Sequence, residues 1–154
     1  MHDFFMWMSQ SPLGSAMRES QLAFPLAEMF HLTGLGLLLG SMLIFNGRFW
    51  GLGMKRQTTA ELAADFAPWI RLALVLMALS GIPMFAMKAA ELWEQDLVTY
   101  STKMGLIAVA VVFHYAVQAP LARAENLGWG KLAAALSLAL WFGAAMTGLS
   151  LEFL

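Results

Sequence analysis

An all-α fold is what this sequence predicts: a transmembrane up-down-up-down four-helix bundle with a short N-terminal interfacial helix. Three observations carry that reading. Of 154 residues, 60% are hydrophobic and 12% charged, whereas soluble domains carry about 25% charged residues. The apolar residues gather in four stretches, each close to the length that a bilayer core requires. Short loops separate them, and short loops make antiparallel neighbours. No polar stretch is long enough to build a soluble domain, so residues 1–154 read as a single integral membrane domain. A net charge of −1 offers no basic surface to nucleic acid. With no cysteine, this chain makes no disulfide, iron–sulfur cluster or thiolate site.

The opening MHDFFMWMSQ lacks a basic lead and carries Asp3, so it does not read as a cleavable signal peptide. Phe4, Phe5, Trp7 and Met8 form an aromatic patch too short to span. Ser11-Pro12 reads as an N-cap with a first-turn proline. The residues from Pro12 to Ser20 then read as a short helix on the membrane surface. Span one runs from 22 to 45, with Pro25 in its first turns and Gly36-x-x-x-Gly40 at helix-packing spacing. Thr58-Thr59-Ala60-Glu61 reads as a helix start, ahead of span two at 66–87. Ser80-Gly81-Ile82-Pro83 is expected to kink that span. Span three covers 104–121, with Pro120 marking its exit, and span four covers 132–151.

Orientation follows from loop charge. The first and third loops with their flanks hold Arg48, Lys55, Arg56, Arg71, Arg123 and Lys131. The opposite side holds Arg18, Lys88 and Lys103 and most of the acids. Both termini are therefore expected outside.

Span one carries Glu28 and His31, and span three carries His114. An ionisable residue at membrane depth is a functional-site hypothesis by default. Spans one and three run the same way. Measured from Leu22, His31 lies ~14 Å deep, and measured from Met104, His114 lies ~15 Å deep. Two imidazoles at matched depth are expected to grip one haem b iron from opposite faces, His31 and His114 being the axial metal ligands. Gly34, three residues after His31, and Ala110, four before His114, would leave room for the porphyrin. Propionates would meet Arg71 on the cytoplasmic side, or Lys103 or Arg18 on the other. The competing reading makes both histidines hydrogen-bonded packing residues.

Other constellations carry less. Glu28-x-x-His31 has the spacing of half a di-iron site, but the spans lack the second such motif. Glu28 fits better as a helix-end carboxylate reaching the headgroups, with proton exchange near a quinone as its other role. Twelve methionines invite copper, with Met84, Met87 and Met104 as the best cluster. Methionine also fills irregular apolar packing.

The run SPLGSAMRESQLAFPLAEMFHLTGLGLLLGS resembles the opening of an uncharacterised family of small bacterial four-helix membrane proteins, matching at Pro25, Glu28 and His31. STKMGLIAVAVVFH resembles that family's third span, which ends in a histidine, here His114. ALSLALWFGAAMTG resembles its last span, though the arginine expected after Gly148 is missing. More loosely, the chain is similar to the copper resistance protein D family and to four-helix b-type membrane cytochromes. The resemblance implies a bacterial inner-membrane bundle with a histidine pair.

The function expected from all this is one-electron transfer by a b-type haem protein, as cytochrome or anchor subunit of a respiratory or redox complex. Such a subunit is not an enzyme by itself. Its partners would be the lipid bilayer, other membrane or periplasmic redox subunits, and a second copy of the chain. Quinone is a further candidate ligand. A copper-handling protein and a cofactor-free accessory subunit are the alternatives.

Overall fold

The computed structural model describes residues 1–151. Among these residues six helices form and no strand does. They are α1 (His2–Gln10), α2 (Pro12–Glu19), α3 (Ala23–Phe49), α4 (Thr59–Gln95), α5 (Leu97–Arg123) and α6 (Leu127–Ser150). Each of α3 to α6 is long and apolar enough to cross a membrane. Leu26, Phe30, Leu43, Val75, Leu79 and Val112 stand exposed on their flanks. That pattern suits a lipid surround, because helices close their own backbone hydrogen bonds and can present apolar side chains to hydrocarbon.

The helix starts follow local chemistry. The Ser11 hydroxyl accepts the Gly14 N–H at 3.2 Å, with Pro12 in the first turn of α2. At α4 the Thr58 hydroxyl accepts the Glu61 N–H at 3.1 Å, and the Glu61 carboxylate accepts the Thr58 N–H at 2.8 Å. Both caps satisfy N–H groups that a helix start otherwise leaves unpaired.

Helix α3 packs on α4 and α6, and α5 packs on α6. Helices α3 and α5 lie across a diagonal, and α4 and α5 barely touch along their lengths. One end of the bundle gathers the starts of α3 and α5 with the ends of α4 and α6; it is called the His31 end below. Helices α1 and α2 fold over that end. Phe5 is buried edge-on to Phe85 and Tyr100, with ring centroids 5.3 and 6.1 Å away. The Arg18 guanidinium donates to the Ser9 carbonyl at 2.6 Å and the Met87 carbonyl at 3.3 Å, tying the pair to α4.

Several expectations change. The N-terminal segment forms two helices rather than one. Every membrane helix overruns its expected span at one end or both, most of all α4 and α5. Pro120 does not mark an exit, because α5 continues to Arg123 through a wide π-turn at His114–Gln118. There the Ala119 N–H reaches back five residues to the His114 carbonyl. A proline ring clashes with the carbonyl four residues earlier, and the widened turn just ahead of Pro120 gives it space. Gly36 and Gly40 pack against nothing within the described chain.

Gly130 of α6 makes the closest approach to a neighbour of any described glycine. A Cβ there would stand 2.2 Å from Cδ1 of the buried Phe49 ring. Gly130→Ala is expected to lower stability by about 1–3 kcal/mol, the usual range for overpacking. Unfolding in detergent micelles measures it, and an unchanged midpoint contradicts the packing.

Candidate functional site

The bundle is layered along its axis. At the His31 end lies a cavity of about 180 Å³, walled by α3, α4, α5 and α6. Below it sits a dry plug of Leu38, Met42, Ile70, Ala73, Ala110 and Trp141. Below that comes a buried polar knot around His114, and then an apolar layer containing Phe49, Leu62 and Ala134.

In the cavity wall, His31 Nδ1 lies 3.0 Å from the Ser80 hydroxyl. That hydroxyl donates its one proton to the Leu76 carbonyl at 2.6 Å. It therefore accepts from His31 Nδ1–H. Gly81 makes room for the ring, since a Cβ there would stand 3.2 Å from His31 Cε1. Met77 and Met84 line the same wall, one turn to either side. Lys88, Lys103 and Tyr100 also line the cavity, and the Lys88 ammonium lies 5.7 Å from the Phe24 ring centre.

The polar knot is built on the π-turn. His114 Nδ1–H donates to the Gln118 side-chain oxygen at 2.9 Å, and the Ser137 hydroxyl donates to the same oxygen at 3.0 Å. The Gln118 amide donates to the Asn46 side-chain oxygen, and the Asn46 amide donates to the Met42 carbonyl at 2.7 Å. All four side chains are buried. Beside them, the Thr59 hydroxyl donates to the Ala122 carbonyl at 3.0 Å and links α4 to α5. In hydrocarbon such groups have no water to turn to, so the knot closes on itself.

The two histidines do not meet. His114 packs edge-on to Phe45, 6.1 Å between ring centroids. Phe45 lies fourteen residues beyond His31 on the same helix, a rise of ~21 Å. By backbone rise the imidazoles stand roughly 15 Å apart, with the dry plug between them. Axial ligands of one iron stand about 4 Å apart, twice a typical metal–imidazole distance. As the helices pack, the two rings do not face each other across a shared space. The depth count and the structure differ in where α5 starts. Helix α5 begins at Leu97 and not at Met104, so His114 is seventeen residues in, whereas His31 is eight residues into α3.

The expected porphyrin-facing residues also turn out otherwise. Gly34 lies against α4, where a Cβ would meet Met77 Cγ at 2.9 Å. Ala110 is 1% exposed within the dry plug. Both are packing positions. Of the methionine cluster considered for copper, Met84 reaches the cavity while Met104 stands exposed. Arg71 bonds its own helix at the Ala67 carbonyl and is exposed. Among the described residues no group of three or more His, Asp or Glu gathers as a metal site.

Sequence reasoning missed Gln118, Asn46 and Ser137 as partners of His114, and Ser80 and Gly81 as partners of His31. The signal for the first was present: Gln118 lies four residues after His114, one turn along the same face. In the sequence Ser80 and Gly81 read only as part of a kink.

These features define a multi-pass helical membrane protein with an open, mostly apolar cavity beside His31 and a buried polar knot around His114. Residues 4–154 match the model of a family of unknown function, DUF6644, and the chain belongs to that family. No curated protein and no solved structure matches it.

Gln118→Leu is expected to leave three buried polar groups unpaired, those of His114, Ser137 and Asn46, and to lower stability by about 1–3 kcal/mol. Reversible unfolding in mixed micelles reads the loss. Wild-type stability in this variant contradicts the knot.

Proposed function

We propose that the protein is the ligand-binding membrane subunit of a redox assembly, and that its His31 cavity takes the head of a lipid-soluble quinone or quinol. The observation that carries this is the placing of an oriented imidazole in an apolar-walled cavity within the bundle. His31 is held by Ser80 at the cavity wall. A quinone or quinol head needs a polar group to hydrogen-bond, and its tail needs apolar walls. Leu32, Leu35, Met77 and Ile107 supply them. Electrons would pass to or from a partner subunit's cofactor.

Haem electron transfer through a His31–His114 pair is set aside because of the separation of the rings. Copper handling rests on Met77, Met84 and His31 sharing one wall. The closed knot at His114 favours a packing role for that histidine.

Binding is tested with a short-tailed benzoquinone and protein in nanodiscs, with empty nanodiscs as reference. Saturable binding is expected, weakened about tenfold in His31→Gln, which corresponds to ~1.4 kcal/mol. Purely partition-type uptake by the native protein contradicts the proposal.

Placement in a bacterial inner membrane with both termini outside is likewise our reading, from the basic residues on the first and third loops. The chain has no cysteine, so single-cysteine labelling needs no background removal. In intact spheroplasts, Gln95→Cys is expected to react with an impermeant maleimide and Gly53→Cys is not. The reverse pattern overturns the orientation.

A further inference from the structure

Between residues 66 and 87, helix α4 carries one charge, Arg71. Counted from the start of the expected span at residue 66, Arg71 lies near the membrane surface. The packing sets it deeper. Its neighbours Ile70 and Ala73 are buried in the dry plug with Leu38, Ala110 and Trp141. Ala110 stands at the middle of α5, which runs from Leu97 to Arg123. Arg71 is therefore level with the middle of the bundle. A bilayer core is about 30 Å thick, so the headgroups lie roughly 15 Å away on either side. That is farther than an arginine side chain extends. Nor does Arg71 turn inward. It stands exposed in a stripe with Pro68, Leu72, Val75, Leu79 and Ile82, opposite the buried face of α4. Its Nε–H donates to the Ala67 carbonyl at 3.2 Å, and it has no carboxylate partner among the described residues. A guanidinium carries five N–H donors, so the others are left towards hydrocarbon. Charges at this depth ordinarily face the bundle interior or pair with one another. The placement is costly for the chain alone in lipid and becomes favourable against an acceptor supplied from outside.

We propose that this flank of α4 docks a membrane helix of a different protein, and that Arg71 pairs there with a carboxylate at mid-depth. The other occupants lack what Arg71 needs. Lipid headgroups stay at the surface, and lipid tails carry no acceptor. A second copy of this chain, in either orientation, offers no acid at that level. No Asp or Glu occurs at 29–60, 66–90, 97–124 or 126–151. A symmetric pair of α4 helices would also set Arg71 against Arg71, and like charges repel. A foreign helix with an aspartate or glutamate near its centre satisfies the spare donors, and the paired fork of arginine and carboxylate is among the stronger hydrogen-bonded contacts. Leu72, Val75 and Leu79 give the apolar surround that keeps such a pair dry. The stripe lies on the outer flank of α4 and does not line the His31 cavity, so this inference stands independently of what that cavity binds.

The test places a photo-reactive amino acid at Val75 or at Leu79 of the full chain, in membranes of the cells that naturally make it. Irradiation is expected to give one protein adduct. Mass spectrometry is expected to map it to a membrane span with an aspartate or glutamate near its centre. Arg71→Leu is expected to lose the adduct. Exchanging the charges, with Arg71→Glu and the partner's acid changed to arginine, is expected to restore it. Arg71→Leu alone is expected to unfold in micelles at the native midpoint or above, because an apolar residue suits a lipid-facing flank. Adducts with lipid alone or with a second copy of this chain overturn the proposal. So do an adduct that persists in Arg71→Leu, a partner span without an acid, and an exchanged pair that fails to restore the adduct. A lowered midpoint in Arg71→Leu assigns Arg71 to the chain's own fold and overturns it as well.

Discussion

Polar groups inside hydrocarbon have no water to fall back on, and this constraint organises the interior of the bundle. Each buried polar side chain must be closed by another part of the chain or remain as an unpaired liability. The knot of His114, Gln118, Asn46 and Ser137 closes completely and ends on the Met42 carbonyl. It joins α3, α5 and α6, three helices whose remaining contacts are mostly apolar and weakly directional. Packing between apolar helices in lipid specifies register poorly, because lipid tails compete on equal terms. A hydrogen-bonded knot has one register. The π-turn serves this, since it sets His114 and Gln118 where their side chains bond and lets Pro120 follow without breaking α5.

The two ends of the bundle treat the same problem differently. At the His114 end the buried His114, Gln118, Asn46 and Ser137 side chains are hydrogen-bonded to one another, and glycine admits a rigid aromatic ring. At the His31 end there is free volume, a half-buried imidazole and an indole N–H with no acceptor. Stability is served by the first arrangement and weakened by the second. A chain that keeps a weakened layer beside a well-made one points to a use for the weakness, as polar groups at membrane depth ordinarily do. The dry plug between the layers also separates them, so that chemistry at His31 has no polar route to His114.

Much of the architecture was legible in the sequence. Four apolar runs and short loops gave the bundle, and Ser11-Pro12 and Thr58 to Glu61 gave the starts of α2 and α4. The helix ends were less legible, because hydropathy marks the lipid-immersed part of a helix and not the whole helix. Residues 97–103 carry Tyr100, Thr102 and Lys103, which lower the local hydropathy without interrupting α5. That seven-residue error at one end moved His114 by nearly two turns and created an apparent match in depth with His31. Periodicity also could not tell a glycine that admits a neighbouring helix, as Gly34 does, from one that faces outward, as Gly36 does. Which polar side chains close on one another depends on helix rotation, and that is fixed only when all four helices pack together.

The most direct measurement is photo-crosslinking with an azido-benzoquinone in native membranes, followed by mass-spectrometric mapping of the labelled residues. Competable label on the segments around His31, Met77, Met84 and Trp141 is the expected result. Label confined to the His114 end, or spread evenly over the lipid-facing flanks, contradicts the assignment of the cavity.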